Sequence, residues 1–155
     1  MRQRKRSKNE SEIEMSITMN KYEKLVACAF EARNHAYAPY SKFKVGAALL
    51  CVDGSIFTGC NVENASYSAT NCAERTAFFQ AVSEGKKEFE AIAIVASSGD
   101  LVPPCGICRQ ALNEFAPDIR VIVAWQDQVM EATLPELLPH GFGPNNGTLD
   151  YLGKE

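Results

Sequence analysis

The sequence predicts a single α/β domain, with helices packed on a mixed sheet of about five strands. Three observations support this. Helical and strand periodicities alternate along the chain in the order α-β-β-α-β-α-β-β-α, the pattern of an α/β sandwich. The segment Phe89 to Ala96 is apolar at both odd and even positions, as a strand buried on both faces must be. The length of 155 residues suits one domain, able to bury roughly 68–70% of its unfolded surface.

Met1 to about Thr18 is polar and charged without a periodic apolar face, so residues 1–19 read as a disordered basic extension. The folded unit is expected over residues 20–155. Asn20 and Glu23 have the spacing of a capping box. Tyr22, Leu25, Val26, Ala29, Phe30 and Arg33 then recur at helical spacing, and Pro39 stops the helix near Ala38. Lys44 to Cys51 reads as a strand and Ile56 to Thr58 as its partner. Asp53-Gly54 makes the turn between them, glycine accepting the positive φ such turns need. A polar loop covers Asn61 to Asn71. Cys72 to Glu84 is a helix that Gly85 terminates, and the strand Phe89 to Ala96 follows. Cys105 to Phe115 is a helix ended by Pro117. Ile119 to Trp125 and Val129 to Thr133 are strands. Thr133 and Glu136 form a capping box that opens a short last helix. The Gly-, Pro- and Asn-rich tail after Phe142 is expected to be irregular.

Composition narrows the function. Hydrophobic residues make up 46% and charged residues 23%, which excludes collagen-like, coiled-coil and wholly disordered chains. The longest apolar stretch, Val45 to Val52, is far too short to span a bilayer, so no membrane association is expected. The basic N-terminus has no apolar stretch behind it and does not read as a signal peptide, which points to the cytoplasm. Arg2, Arg4, Lys5, Arg6 and Lys8 leave a nuclear-localisation role open for the extension. The rest of the chain holds 11 basic residues against 19 acidic. Such a body attracts polyphosphate poorly, so nucleic acid is disfavoured as a partner and a small neutral or cationic substrate suits it better.

The chemistry concentrates in Cys72-Ala73-Glu74 and Pro104-Cys105-Gly106-Ile107-Cys108. Both fall at expected helix starts, where free N–H groups and the helix dipole favour a thiolate. Three converging thiolates suit Zn²⁺ and leave its fourth position to water, the mark of a catalytic zinc. Glu74, in the first helical turn, can stand beside that water as a proton carrier. Arg75 is either a counter-charge to the thiolates or a solvated helix residue. Cys105-x-x-Cys108 alone would also suit a redox pair. Cys60 could close a structural four-cysteine site, but that would leave Glu74 without a role. Cys28 and Cys51 read as small core hydrophobes. His35 and His140 are isolated. Phe142, between Gly141 and Gly143, reads as an aromatic that docks on a partner.

Cys72-x-Glu74…Pro104-Cys105-x-x-Cys108 resembles the three-cysteine form of the signature of zinc nucleobase deaminases. Within that group the chain is most similar to the small, homotetrameric cytidine deaminases, from about Tyr22 to Phe142. The likeness extends to the segments Ala38 to Leu49, Asn61 to Tyr67 and Cys72 to Ala77.

The resemblance implies a three-layer α/β/α fold. It also implies hydrolytic deamination of cytidine and 2′-deoxycytidine in pyrimidine salvage, with one Zn²⁺ per subunit held by Cys72, Cys105 and Cys108. Glu74 would shuttle protons. Asn61 and Glu63 would bind the ribose 3′-hydroxyl, Phe43 the base, and the Ala73 backbone the pyrimidine edge. Arg75 would hydrogen-bond the cysteine sulfurs. Phe142 would enter a neighbouring subunit's site, and Tyr67 would support subunit contacts there. Glu63 would also repel a phosphate, which argues for a nucleoside over a nucleotide. The rival readings are a deaminase of another aminated nucleoside or nucleoside antibiotic, a polynucleotide-editing deaminase, and a non-catalytic zinc-stabilised interaction domain.

Overall fold

The structure is a computed structural model that describes the backbone of residues 8–144 and the side chains of residues 21–144. Its elements follow the expected order: α1 (Lys8–Arg33), β1 (Val45–Cys51), β2 (Ile56–Cys60), α2 (Ala73–Ser83), β3 (Phe89–Ala96), α3 (Gly106–Asn113), β4 (Arg120–Trp125), β5 (Gln128–Thr133) and α4 (Leu134–Leu137), with one 3₁₀ turn at Tyr67–Ala69. The strands form one mixed sheet in the order β2-β1-β3-β4-β5. β3 and β4 run parallel, and every other neighbouring pair is antiparallel.

The sheet separates two apolar layers. Leu25 and Ala29 of α1 are fully buried against Ala48, Ala91, Ala93 and Val95 on one face. Ala77, Phe78 and Ala81 of α2, Leu112 of α3 and Leu134 of α4 pack on Leu49, Ile92, Ile94, Val121 and Val123 on the other. All seven residues of β1 and all but one of β3 are buried, as two covered faces require.

The turn and cap signals work as expected. Gly54 takes a φ of 88° in the β1–β2 turn, and Gly85 one of 84° just past α2. At α4, the Glu136 carboxylate accepts from the Thr133 backbone N–H at 2.6 Å and from its hydroxyl at 2.8 Å. That completes the capping box.

One boundary differs. The first helix begins at Lys8, twelve residues before the capping-box pattern at Asn20. No glycine or proline occurs before Pro39, and Glu, Lys, Met and Ile carry a helix readily through this stretch, so local propensity overrides the cap. Most of the basic run, Arg2 to Arg6, and the tail beyond Pro144 lie outside the described residues. No helix among the described residues is long and apolar enough to cross a membrane.

Strand direction positions the site. β2 and β3 run the same way on either side of β1, so their carboxyl ends and the amino end of β1 meet at one edge. There Gly46 pairs with Cys60, and Val45 with Ala96. Both chain segments leaving that edge lead into helices, β2 toward α2 and β3 toward α3. The open end of parallel strands is where an α/β sheet places its ligands.

Candidate active site

Cys72 is the N-cap of α2 and Cys105 the N-cap of α3, so both cysteines sit at helix starts that share the same sheet edge. Cys108 follows one turn into α3 and is fully buried. The three Sγ atoms lie within 4.8 Å of one another, and Cys72 Sγ and Cys105 Sγ are 3.8 Å apart. Two thiolates at tetrahedral positions about 2.3 Å from a zinc ion stand about 3.8 Å apart, so the donor set fits this metal. Cys60, the possible fourth ligand, is not in the cluster. His35 and His140 are exposed and also outside it.

The electrostatics suit a thiolate cluster. A hydrogen bond from Cys108, supported by Arg75, draws the Cys72 thiol down to about 5. The same bond, together with burial, pushes Cys108 up. Arg75 Nη2 donates to Cys72 Sγ at 3.6 Å. Its Nε is buried and has no hydrogen-bond partner among the described residues. Its guanidinium thus lies against the Cys72 sulfur, where a counter-charge would stand.

Glu74 is only 5% exposed. Burial pushes its carboxyl up to about 7, the Cys72 charge adds to the rise, and hydrogen bonding from Cys108 opposes it. A carboxyl poised near neutrality beside a metal-binding cluster is suited to giving and taking protons.

A cavity of about 260 Å³ opens beside the cluster. It is lined by Phe43, Asn61, Glu63, Cys72, Ala73, Glu74 and Cys105, with Ser41, Thr70, Val102 and Pro103 at its walls. Residues scattered between positions 43 and 105 thus share one hollow. Asn61 and Glu63 line it, but both also hold the chain. Asn61 Oδ1 accepts from the Val45 N–H and its Nδ2 donates to the Phe43 carbonyl, each at 2.8 Å. Glu63 Oε1 accepts from the backbone N–H of Tyr40 at 2.9 Å and of Ser41 at 3.1 Å. These hydrogen bonds, with the Ser41 side chain foremost, lower the Glu63 pKa and keep it ionised.

Tyr67 does not line this cavity. It stands 75% exposed against the Tyr40 ring, beside an adjoining hollow that shares Ser41, Glu63 and Thr70. Phe142 does not line it either and is held on α3. Sequence reasoning missed Ser41, Thr70 and Arg109. Arg109 Nε donates to the carbonyl of Pro104, just ahead of Cys105, at 2.7 Å. No local spacing signals such a contact.

The model of the cytidine and deoxycytidylate deaminase zinc-binding region matches residues 19–125. The chain belongs to this family. Cytidine deaminase of Sporosarcina psychrophila is 52% identical over 135 residues, covering 86% of this chain and 98% of its own. Cytidine deaminase of Halalkalibacterium halodurans is 53% identical over 120 residues, 76% and 91% of the two chains. The crystal structure of cytidine deaminase from Burkholderia pseudomallei superimposes with a TM-score of 0.75 at 48% identity, covering 77% of this chain and 98% of that one. The mixed five-stranded sheet is thus the cytidine deaminase fold. The family is defined by its zinc-binding region, and the Cys72, Cys105 and Cys108 cluster is a donor set that could hold the metal.

Proposed function

We propose that the protein hydrolyses cytidine and 2′-deoxycytidine to uridine and 2′-deoxyuridine, releasing ammonia, in pyrimidine salvage. One observation carries the reading: a buried carboxyl, Glu74, beside three clustered cysteines on a cavity that Phe43, Asn61 and Glu63 also line.

Cys72, Cys105 and Cys108 hold one zinc ion per subunit, and Arg75 offsets their charge. The zinc supplies a Lewis acid that makes water nucleophilic near neutral pH. Glu74 takes a proton from the attacking water and places it on N3 of the ring as the oxygen joins C4. It then takes the proton of the new C4 hydroxyl and gives it to the amino group. Ammonia leaves, and a C4 carbonyl remains. The Ala73 backbone reads the pyrimidine edge, and Phe43 packs on the base. Asn61 and Glu63 reach the ribose 3′-hydroxyl with the hydrogen-bonding capacity their backbone contacts leave. The ionised Glu63 repels a phosphate placed nearby, which favours a nucleoside.

The working form is a homotetramer. Phe142 closes a neighbouring subunit's site, and Tyr67 supports the contacts between copies. Residues 20–155 form one deaminase unit, with residues 1–19 appended to it. Thiolate ligands suit a reducing compartment such as the cytoplasm. The basic run at the N-terminus leaves nuclear entry open.

The test follows the ultraviolet absorbance of cytidine with the zinc-loaded protein and with Glu74→Gln. The native protein is expected to consume the cytidine band and release ammonia. The variant keeps its zinc and loses roughly 10²- to 10⁴-fold in kcat. A zinc-loaded tetramer that turns over neither cytidine nor deoxycytidine would sink the proposal.

A further inference from the structure

Phe142 is an exposed aromatic on a firmly held backbone. The residue is 60% exposed and lies outside the cavity of its own chain. Its main-chain carbonyl nevertheless accepts two side-chain hydrogen bonds from α3, from Gln110 Nε2 at 2.7 Å and Asn113 Nδ2 at 3.0 Å. Gln110 and Asn113 are three residues apart on the helix and share a face. The neighbouring Arg109 fastens the segment further back, its Nη1 donating to the Leu137 carbonyl at 2.7 Å. Gly143 is buried where a Cβ would stand 2.7 Å from Asn113 Nδ2. The absence of a side chain at position 143 therefore leaves the Asn113 amide room to reach the carbonyl.

Fixing backbone and side-chain torsions costs conformational entropy. Here the ordered segment leaves most of its aromatic residue exposed. We infer that Gln110 and Asn113 are positioning residues: two amides that pin the Phe142 carbonyl and hold its ring off its own protomer, preset for the pocket of a second copy. This rests on the reading above that Phe142 packs against the nucleoside in a neighbouring site. The preset form spares the ordering that binding would otherwise require, so its effect falls on substrate affinity.

The test uses the zinc-loaded, full-length protein. It compares Phe142→Ala, the double variant Gln110→Met with Asn113→Leu, and all three changes together. Methionine and leucine keep the shape and reach of the side chains and remove the donors. The double variant is expected to raise the cytidine KM by about tenfold, from two lost hydrogen bonds. It keeps kcat within about twofold, as loss of binding alone requires. The triple variant matches Phe142→Ala, because the amides act only through that ring. Gly143→Ala, which displaces the flexible end of Asn113 with little disturbance to the core, raises KM in the same direction. Restoring Gln110 alone recovers part of the loss.

A wild-type KM in the double variant, while Phe142→Ala raises it, overturns the inference. So do fully additive effects, or a double variant that loses zinc, assembly or kcat. If Phe142→Ala itself leaves KM unchanged in an active enzyme, the role given to Phe142 falls first and the positioning role with it.

Discussion

Asn61 shows how much one side chain can carry. By its residue type it is an ordinary polar loop residue, and the family resemblance adds only a substrate contact. In the fold it is 8% exposed, and its amide replaces ladder hydrogen bonds where β1 and β2 part. Asn61→Ala would strand the Val45 N–H and the Phe43 carbonyl away from water, at a cost of about 2 kcal/mol. It is expected to lower Tm by roughly 5 °C in scanning calorimetry, besides raising the cytidine KM. A weakened KM with unchanged Tm would confine Asn61 to the substrate. Such double duty is invisible in sequence because the partners lie 16 and 18 positions away. Cys72, Glu74, Cys105 and Cys108 were legible because their chemistry depends on spacing within single helix starts. The backbone ties of Glu63 and the bond from Arg109 to Leu137 depend on tertiary approach, which no local pattern records.

At the scale of elements, the aim of α2 depends on a missing side chain. A Cβ at Gly59 of β2 would lie 2.4 Å from the Ala77 nitrogen and 2.5 Å from the Ala73 oxygen. Both are backbone atoms and cannot swing aside, so Gly59→Ala must lift the helix that carries Cys72 and Glu74. We expect a loss of about 1–3 kcal/mol, together with weaker zinc retention against a chelator. Normal zinc retention alongside lowered stability would place the strain away from the site. The strands and helices themselves were legible because period, turn glycines and the Thr133 capping box agree with the final fold. α1 starts ahead of the Asn20 cap pattern because no glycine or proline interrupts the chain there and its glutamates, methionines and Lys8 favour helix. The β1–β2 hairpin was legible from Asp53-Gly54, but the pairing of β3 with the other edge of β1 was not, since that is set by packing between distant segments.

For the whole molecule, the cysteine cluster is a joint between two crossovers. It ties the start of α2 to the start of α3, 33 positions apart in the chain. Zinc bound there favours the native state over the unfolded one by mass action. Stripping it with excess chelator is expected to lower Tm and to speed amide exchange first in α2 and α3. A chelated protein with unchanged Tm would mean that the fold does not lean on its metal. The proposed homotetramer predicts elution near four times the 17.0 kDa chain mass in sizing chromatography. Elution at one chain mass would leave Phe142 with no neighbour to serve.

The position of Phe142 outside its own cavity has a consequence for heredity. If each pocket borrows its aromatic wall, two defective alleles can mend one another. A Glu74→Gln chain has no working chemistry but still lends its ring. A Phe142→Ala chain has intact chemistry and a borrowed ring then restores its affinity. Co-expressed, the two would assemble some pockets complete in every part, so a cell carrying both lesions would outperform a cell carrying either one alone.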